Sequence, residues 1–252
     1  MQYPNVIEEK VKIGDVNALI LKPEKAEGLL PAVVFYHGWS SNKESQRFRA
    51  YIIASFGYLV LLPDSIHHGE RGGIDYSKKE NGPKFWEVVL SNLKEWKQIK
   101  EFLIRDCEID KDRIAVSGHS MGGFTSAGIF SRDKDIRTLI VHNGSCNWRS
   151  SNEIFKTKLG FSDMEGFQEL ENRFSEYDPM GSIESLKDRP ILILHGESDQ
   201  VVDIEPQLVF YNELQELNLD KDKLRIITYS NLNHYLTTGM LEEMILWLEK
   251  YL

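Results

Sequence analysis

Short apolar runs recur along this chain, each separated from the next by enough residues for one amphipathic helix. That rhythm constrains the fold more than any other feature. The runs are residues 32–36 (AVVFY), 58–62 (YLVLL), 113–117 (RIAVS), 138–142 (TLIVH), 190–195 (PILILH) and 224–229 (LRIITY). They are too short for helices and show little polar alternation, the pattern of strands covered on both faces. Helical periodicity lies between them, at 43–56, at 85–105, from about Met121, near 205–217 and at 239–251. In the second of these, Val88, Val89, Leu93, Trp96, Ile99 and Leu103 fall on one face. Buried strands alternating with helices imply parallel pairing through right-handed crossovers, hence a mostly parallel, doubly wound α/β sheet. Ahead of these, 6–13 and 16–21 read as a hairpin turning at Gly14-Asp15.

No repeat, low-complexity tract or linker interrupts the 252 residues, so a single domain over 1–252 is expected. One segment breaks the rhythm. Residues 143–188 separate two strands by more than a crossover helix needs, and long insertions of this kind are commonly lids or binding elements. This stretch carries Trp148, Phe155, Leu159, Phe161 and Tyr177, with Phe167, Leu170 and Phe174 at helical spacing. It reads as a small helical cap, and Trp148, close behind a strand end, is expected to help wall a substrate pocket.

The net charge of -9 argues against a nucleic-acid partner, which would call for a basic face. No apolar run approaches the ~20 residues that span a bilayer. The start, MQYPNVIEEKVKIG, lacks the basic, apolar and small-residue regions of a signal peptide, so a cytoplasmic location is expected. Cys107 and Cys146 fit two reduced thiols better than a disulfide or a metal pair.

The sharpest chemical signal is Gly118-His119-Ser120-Met121-Gly122, which follows one predicted strand and opens a helix. A serine there protrudes from a tight strand-to-helix turn, and glycines two before and two after remove side chains that would clash. The helix N-terminus aims free N–H groups at developing negative charge. The five-residue motif would arise by accident in roughly one such chain in ten, so its context carries the weight. An acid and a base are expected at later strand ends, in that order. After PILILH comes GESDQVV, with Asp199. After LRIITY comes SNLNH, with His234. Asp203 and Glu197 are rivals for the acid, but Asp203 looks like a helix start and Glu197 is a longer acid that could serve only if the loop turned otherwise. The loop His37-Gly38-Trp39-Ser40 follows the strand AVVFY, where the backbone N–H of Trp39 would join that of Met121 as an oxyanion hole. His37 is expected to hydrogen-bond within its loop, and the Trp39 ring to line the pocket. The adjacent His67 and His68, near Glu70, point apart and match no ligand spacing, so a hydrogen-bonded loop at the pocket rim is expected and no metal.

Together HGW, LLPDSIHHGERGG, GHSMGG, HGESDQVV and the late His234 resemble the α/β-hydrolase superfamily over roughly residues 16–252. The closer resemblance is to the dienelactone-hydrolase-like and prolyl-oligopeptidase-like esterase branch, bacterial carboxylesterases with a modest helical cap. The chain departs from dienelactone hydrolases in carrying Ser120 where those enzymes have cysteine. The resemblance implies a cofactor-free hydrolase of a small-molecule ester. Acyl transfer or thioester hydrolysis on the same residues, and a non-catalytic binding protein of this fold, are the alternatives.

Overall fold

The computed structural model describes residues 5–159 and 167–252. Eight strands form one sheet in the order β1-β2-β4-β3-β5-β6-β7-β8. They are β1 (Val6–Ile13), β2 (Val16–Pro23), β3 (Leu30–Tyr36), β4 (Leu59–Pro63), β5 (Ile109–His119), β6 (Thr138–His142), β7 (Ile191–Gly196) and β8 (Leu224–Tyr229). Pairing from β4 through β8 is parallel, while β1 with β2 and β2 with β4 are antiparallel. The hairpin turns at Gly14, whose φ of 58° lies in the left-handed region that glycine adopts without strain.

The helices are α1 (Lys43–Ser55), α2 (Lys84–Asp106), α3 (Met121–Arg132), α4 (Trp148–Leu159), α5 (Phe167–Ser175), α6 (Glu205–Leu217) and α7 (Thr238–Tyr251). Strand alternation sorts them onto two faces. Val33 and Phe35 of β3 pack with Ile53 of α1 and Met244 of α7 on one side. Val34 and Tyr36 pack with Ile99 of α2, Phe130 of α3 and Phe210 of α6 on the other. The runs in β3, β4, β6 and β7 are therefore apolar on both faces because both are covered, whereas the edge strand β8 keeps Arg225 and Thr228 exposed.

One strand runs longer than its apolar core. β5 begins at Ile109, which pairs with Leu30, and the register then jumps so that Ala32 pairs with Ile114. The intervening DKDR cannot enter a buried ladder. Asp110 and Arg113 instead join in a 2.8 Å ion pair at the surface.

Between β6 and β7 lie α4, α5 and a 3-10 stretch, Pro179–Leu186. Phe167, Leu170 and Phe174 are the buried face of α5, as their spacing predicts. Phe161 lies outside the described residues. The insert sits on the start of α2: Phe174 stacks on Trp86 at 3.9 Å between ring centroids, and Trp86 Nε1 donates to Asn152 Oδ1 at 2.8 Å. Asp178 fastens its beginning, its two carboxylate oxygens accepting from the backbone N–H groups of Trp148 (3.0 Å) and Arg149 (2.9 Å). These are two of the donors that a helix start leaves free.

Candidate active site

Ser120 stands between the last residue of β5 and the first of α3, with φ 57° and ψ -120°, a strained backbone for a residue with a side chain. Its surroundings hold it there. Its N–H donates to His142 O at 2.9 Å, and its carbonyl accepts from Gly123 N at 2.8 Å and Phe124 N at 3.2 Å. The flanking glycines are steric requirements. A Cβ on Gly118 would lie 2.3 Å from the Gly122 backbone, and one on Gly122 would lie 2.0 Å from Tyr36 O. The turn is thus pressed against the end of β3, where the His37-Gly38-Trp39 loop begins. A Cβ on Gly38 would come 3.3 Å from Ser120 Cβ, so that loop runs in contact with the serine. Met121, as the first residue of α3, has an N–H without an intrahelical acceptor.

Asp199 and His234 are brought together from the loops after β7 and β8. His234 Nδ1 donates to Asp199 Oδ2 at 2.7 Å. Asp199 Oδ1 accepts from Val201 N and Val202 N, both at 2.9 Å, and the side chain is fully buried. Burial pushes this carboxyl's pKa up. Contacts from His195 and His234 and the Val202 hydrogen bond outweigh that and hold it well below the usual carboxylate range. It is therefore ionised at neutral pH and fixes the proton of His234 on Nδ1, leaving the Nε2 lone pair free. The rivals are occupied elsewhere. Asp203 Oδ1 accepts from Glu205 N at 3.1 Å at the start of α6, and Glu197 takes the hydroxyls of Thr228 and Ser230 at 2.7 and 2.8 Å.

Two further groups brace this corner. Asn143, at φ 45°, donates to Tyr235 O at 3.0 Å and accepts from Gly196 N at 3.0 Å, tying the end of β6 to β7 and to the His234 loop. The ring of His119 lies 4.8 Å from that of His234. Sequence reasoning missed both. Asn143 directly follows a buried strand, and that position was the available signal.

The loop after β4 is pinned from beneath by a buried ion pair. Lys43 Nζ meets Asp64 Oδ2 at 2.6 Å and Glu70 Oε1 at 2.9 Å, and Arg71 forms a two-pronged pair with Glu95. His37 Nε2 accepts from Ser65 N at 3.1 Å and its Nδ1 donates to Gly38 O at 2.9 Å, so this ring is fixed within the loop region. His68 stacks on Tyr76 and meets the edge of Trp39. These two rings support the Trp39 loop.

A cleft of about 330 Å³ opens beside Ser120. Its walls are largely aromatic: Trp39, Tyr76, Phe85, Trp86 and Phe155, with Val201 and Val202 closing one side. Here the structure corrects one expectation. Trp148 does not line the cleft. Its ring is wholly buried beneath it, 5.4 Å from Trp86 between centroids, on a hollow left by Gly128 of α3, where a Cβ would lie 2.5 Å from the Trp148 ring. A large apolar ring at the base of a helix buries more surface by packing inward than by facing a solvent-filled cleft. Phe85 and Tyr76 take the wall positions. The signal for them was the first turn of the long helix and the loop before it, both at strand C-terminal ends.

The prolyl oligopeptidase family model matches residues 43–252. "Putative esterase YitV" of Bacillus subtilis is 30% identical over 98% of this chain and 99% of its own length. Esterase YjfP of Escherichia coli is 29% identical over 84% of this chain and 86% of its own. A crystal structure from Thermus thermophilus superposes with a TM-score of 0.77 at 21% identity, covering 98% of both chains, which bears on the fold. The strand order, the turn at Ser120 and these matches agree: the chain belongs to the prolyl oligopeptidase family and is a serine hydrolase of the α/β-hydrolase fold.

Proposed function

We propose that this chain hydrolyses carboxylic esters through an acyl-enzyme on Ser120, with His234 as general base and Asp199 as the acid that orients it. The observation that carries the reading is the 2.7 Å hydrogen bond between His234 Nδ1 and an Asp199 whose other oxygen is already held by two backbone N–H groups. That arrangement fixes the tautomer a base requires. Ser120 Oγ attacks the ester carbonyl carbon while its proton passes to His234 Nε2. The negative charge that develops on the carbonyl oxygen is held by the N–H groups of Met121 and Trp39, a pair of donors worth ~3 kcal/mol each when removed singly. The intermediate collapses, the C–O bond to the alcohol breaks, and His234 returns the proton to the departing oxygen. Water then repeats the attack on the acyl-enzyme and releases the acid. YitV and YjfP are each matched over most of their own length, and both are named as esterases, one of them putative, which supports ester over other acyl substrates.

We place the enzyme in the cytoplasm acting on a small ester. Both cysteines are buried and unpaired, as in a reducing compartment. No described helix is long and apolar enough to cross a membrane. The test is Ser120→Ala, assayed with 4-nitrophenyl esters and by labelling with a fluorophosphonate. The variant should fold and lose both activities, and turnover near that of the wild type would overturn the reading.

A further inference from the structure

The charged side chains around the cleft are of one sign. Among its described lining residues these are Lys78, Lys79 and Lys158, and no acid. The chain carries 39 acidic against 30 basic residues, so a rim with bases only runs against its composition. The lysines also come from separate elements. Lys78 and Lys79 lie in the loop between β4 and α2, and Lys158 lies in the last turn of α4, in the insert. Two segments far apart in sequence therefore bring like charges to one opening. Unless something neutralises them, that arrangement costs repulsion.

Their own partners do little. Lys78 lies 3.8 Å from Glu80 with both side chains more than half exposed, and Lys158, about two-fifths exposed, lies 3.7 Å from Asp203 and 3.5 Å from Gln200 O. Such long, solvated pairs contribute little and leave the ammonium groups available. Inside the rim the chemistry changes abruptly to Trp39, Phe85, Trp86 and Phe155 around Ser120. At about 330 Å³ the cleft is roughly twice the ~150 Å³ cavity that accommodates benzene, which suits a ring with a short linker or a medium alkyl chain.

We propose that the preferred substrates are esters with two parts: an apolar body that fills the aromatic cleft and a terminal carboxylate or similar anion held by Lys78, Lys79 and Lys158. This rests on the esterase reading above and adds the substrate class. The apolar body supplies burial at roughly 25 cal/mol per Å². The anion supplies selection against neutral esters of the same shape and draws the substrate to a mouth that is positive on an otherwise acidic protein.

The test compares two series of 4-nitrophenyl esters. One is built on straight-chain monocarboxylic acids. The other is built on dicarboxylic acids from succinate to dodecanedioate, esterified once so that the far end stays a free carboxylate. The quantity read is the ratio of kcat/KM for the anionic ester to that for the neutral ester of equal length. It should peak at one chain length and fall in high salt. In the Lys78→Gln, Lys79→Gln, Lys158→Gln triple variant it should drop by about tenfold, each lysine carrying roughly twofold. The change should appear mainly in KM. A ratio that is flat with chain length, or identical in wild type and triple variant, overturns the proposal. Hydrolysis of the neutral series that depends on Ser120 would leave the esterase reading standing in that event. Absence of turnover in both series would instead overturn the esterase reading, and this proposal with it.

Discussion

Replacing Asp199 with asparagine should lower turnover by about four orders of magnitude while leaving the fold intact, because of where its two oxygens point. Oδ1 accepts from Val201 N and Val202 N at 2.9 Å each, and Oδ2 accepts from His234 Nδ1 at 2.7 Å. An asparagine must choose which position its carbonyl oxygen takes. With that oxygen on the two backbone donors, its NH₂ faces His234 Nδ1, and two N–H groups cannot point at one another. His234 must then move its proton to Nε2, where no lone pair is left to receive the serine proton. The opposite orientation keeps the correct tautomer but faces an NH₂ against two buried N–H groups, stranding donors at about 1–3 kcal/mol apiece. The first orientation wins and the base is in the wrong tautomer. A tautomer fault of this kind lowers kcat by ~10⁴, or about 5.4 kcal/mol of barrier. Steady-state kinetics on a 4-nitrophenyl ester, with a thermal melt to check folding, reads the effect. Asp203→Asn is the control. Its oxygen caps α6 through Glu205 N at 3.1 Å, a role an amide oxygen fills equally well, so turnover should change by less than about twofold. If the 203 variant is the crippled one, or the 199 variant turns over at nearly the wild-type rate, the assignment of the acid is wrong.

Acid should destabilise the fold well before its carboxylates protonate. Burial lowers the pKa of His37 from 6.5 to about 4 and that of His142 to about 3, so both are neutral in the fold. The unfolded chain binds these protons first as pH falls, and stability present above about pH 6.5 is lost below it. By pH 5 each histidine costs about 2 kcal/mol, a figure set by the unfolded value alone, and denaturant titrations at pH 7 and pH 5 would check it. A loss of under 1 kcal/mol in total would mean that these rings protonate in place. Trp148→Ala should destabilise by about 3–5 kcal/mol through the cavity it leaves over Gly128, without altering the ranking of short against long acyl esters. A changed chain-length profile at unchanged stability would return Trp148 to the cleft wall. Gly122→Ala places a methyl carbon 2.0 Å from Tyr36 O, and should cost more than about 4 kcal/mol or prevent folding, as read by soluble yield and melting temperature. A stable, active variant would show that the turn at Ser120 can shift away from β3.

The sheet was legible in the sequence because its signal is local: a strand buried on both faces must be apolar throughout, and neighbours six residues apart suffice to reveal it. Strand ends were less so. β5 starts four residues before its apolar run because Leu30 reaches across to Ile109, a pairing no window along the chain contains. The same distinction separates the two halves of the candidate site. Ser120, Asp199 and His234 each follow a strand of the parallel part of the sheet, so topology alone gathers them at the strands' C-terminal ends. What the cleft is made of depends instead on which way each ring turns once it gets there. Trp148 and Phe85 both stand at helix starts, and closeness along the chain to a strand end, which favours Trp148, picks the wrong ring. The difference is made at residue 128, on another helix. Its missing side chain opens a hollow that one of the two rings can fill, and the insert delivers Trp148 to it because Asp178 holds the N–H groups of Trp148 and Arg149. With that hollow filled, Phe85 packs edge-on against Trp86, Phe124 and Phe155 and remains at the wall. Which ring faces substrate is thus decided by a glycine and an aspartate fifty residues apart, neither of which touches the cleft.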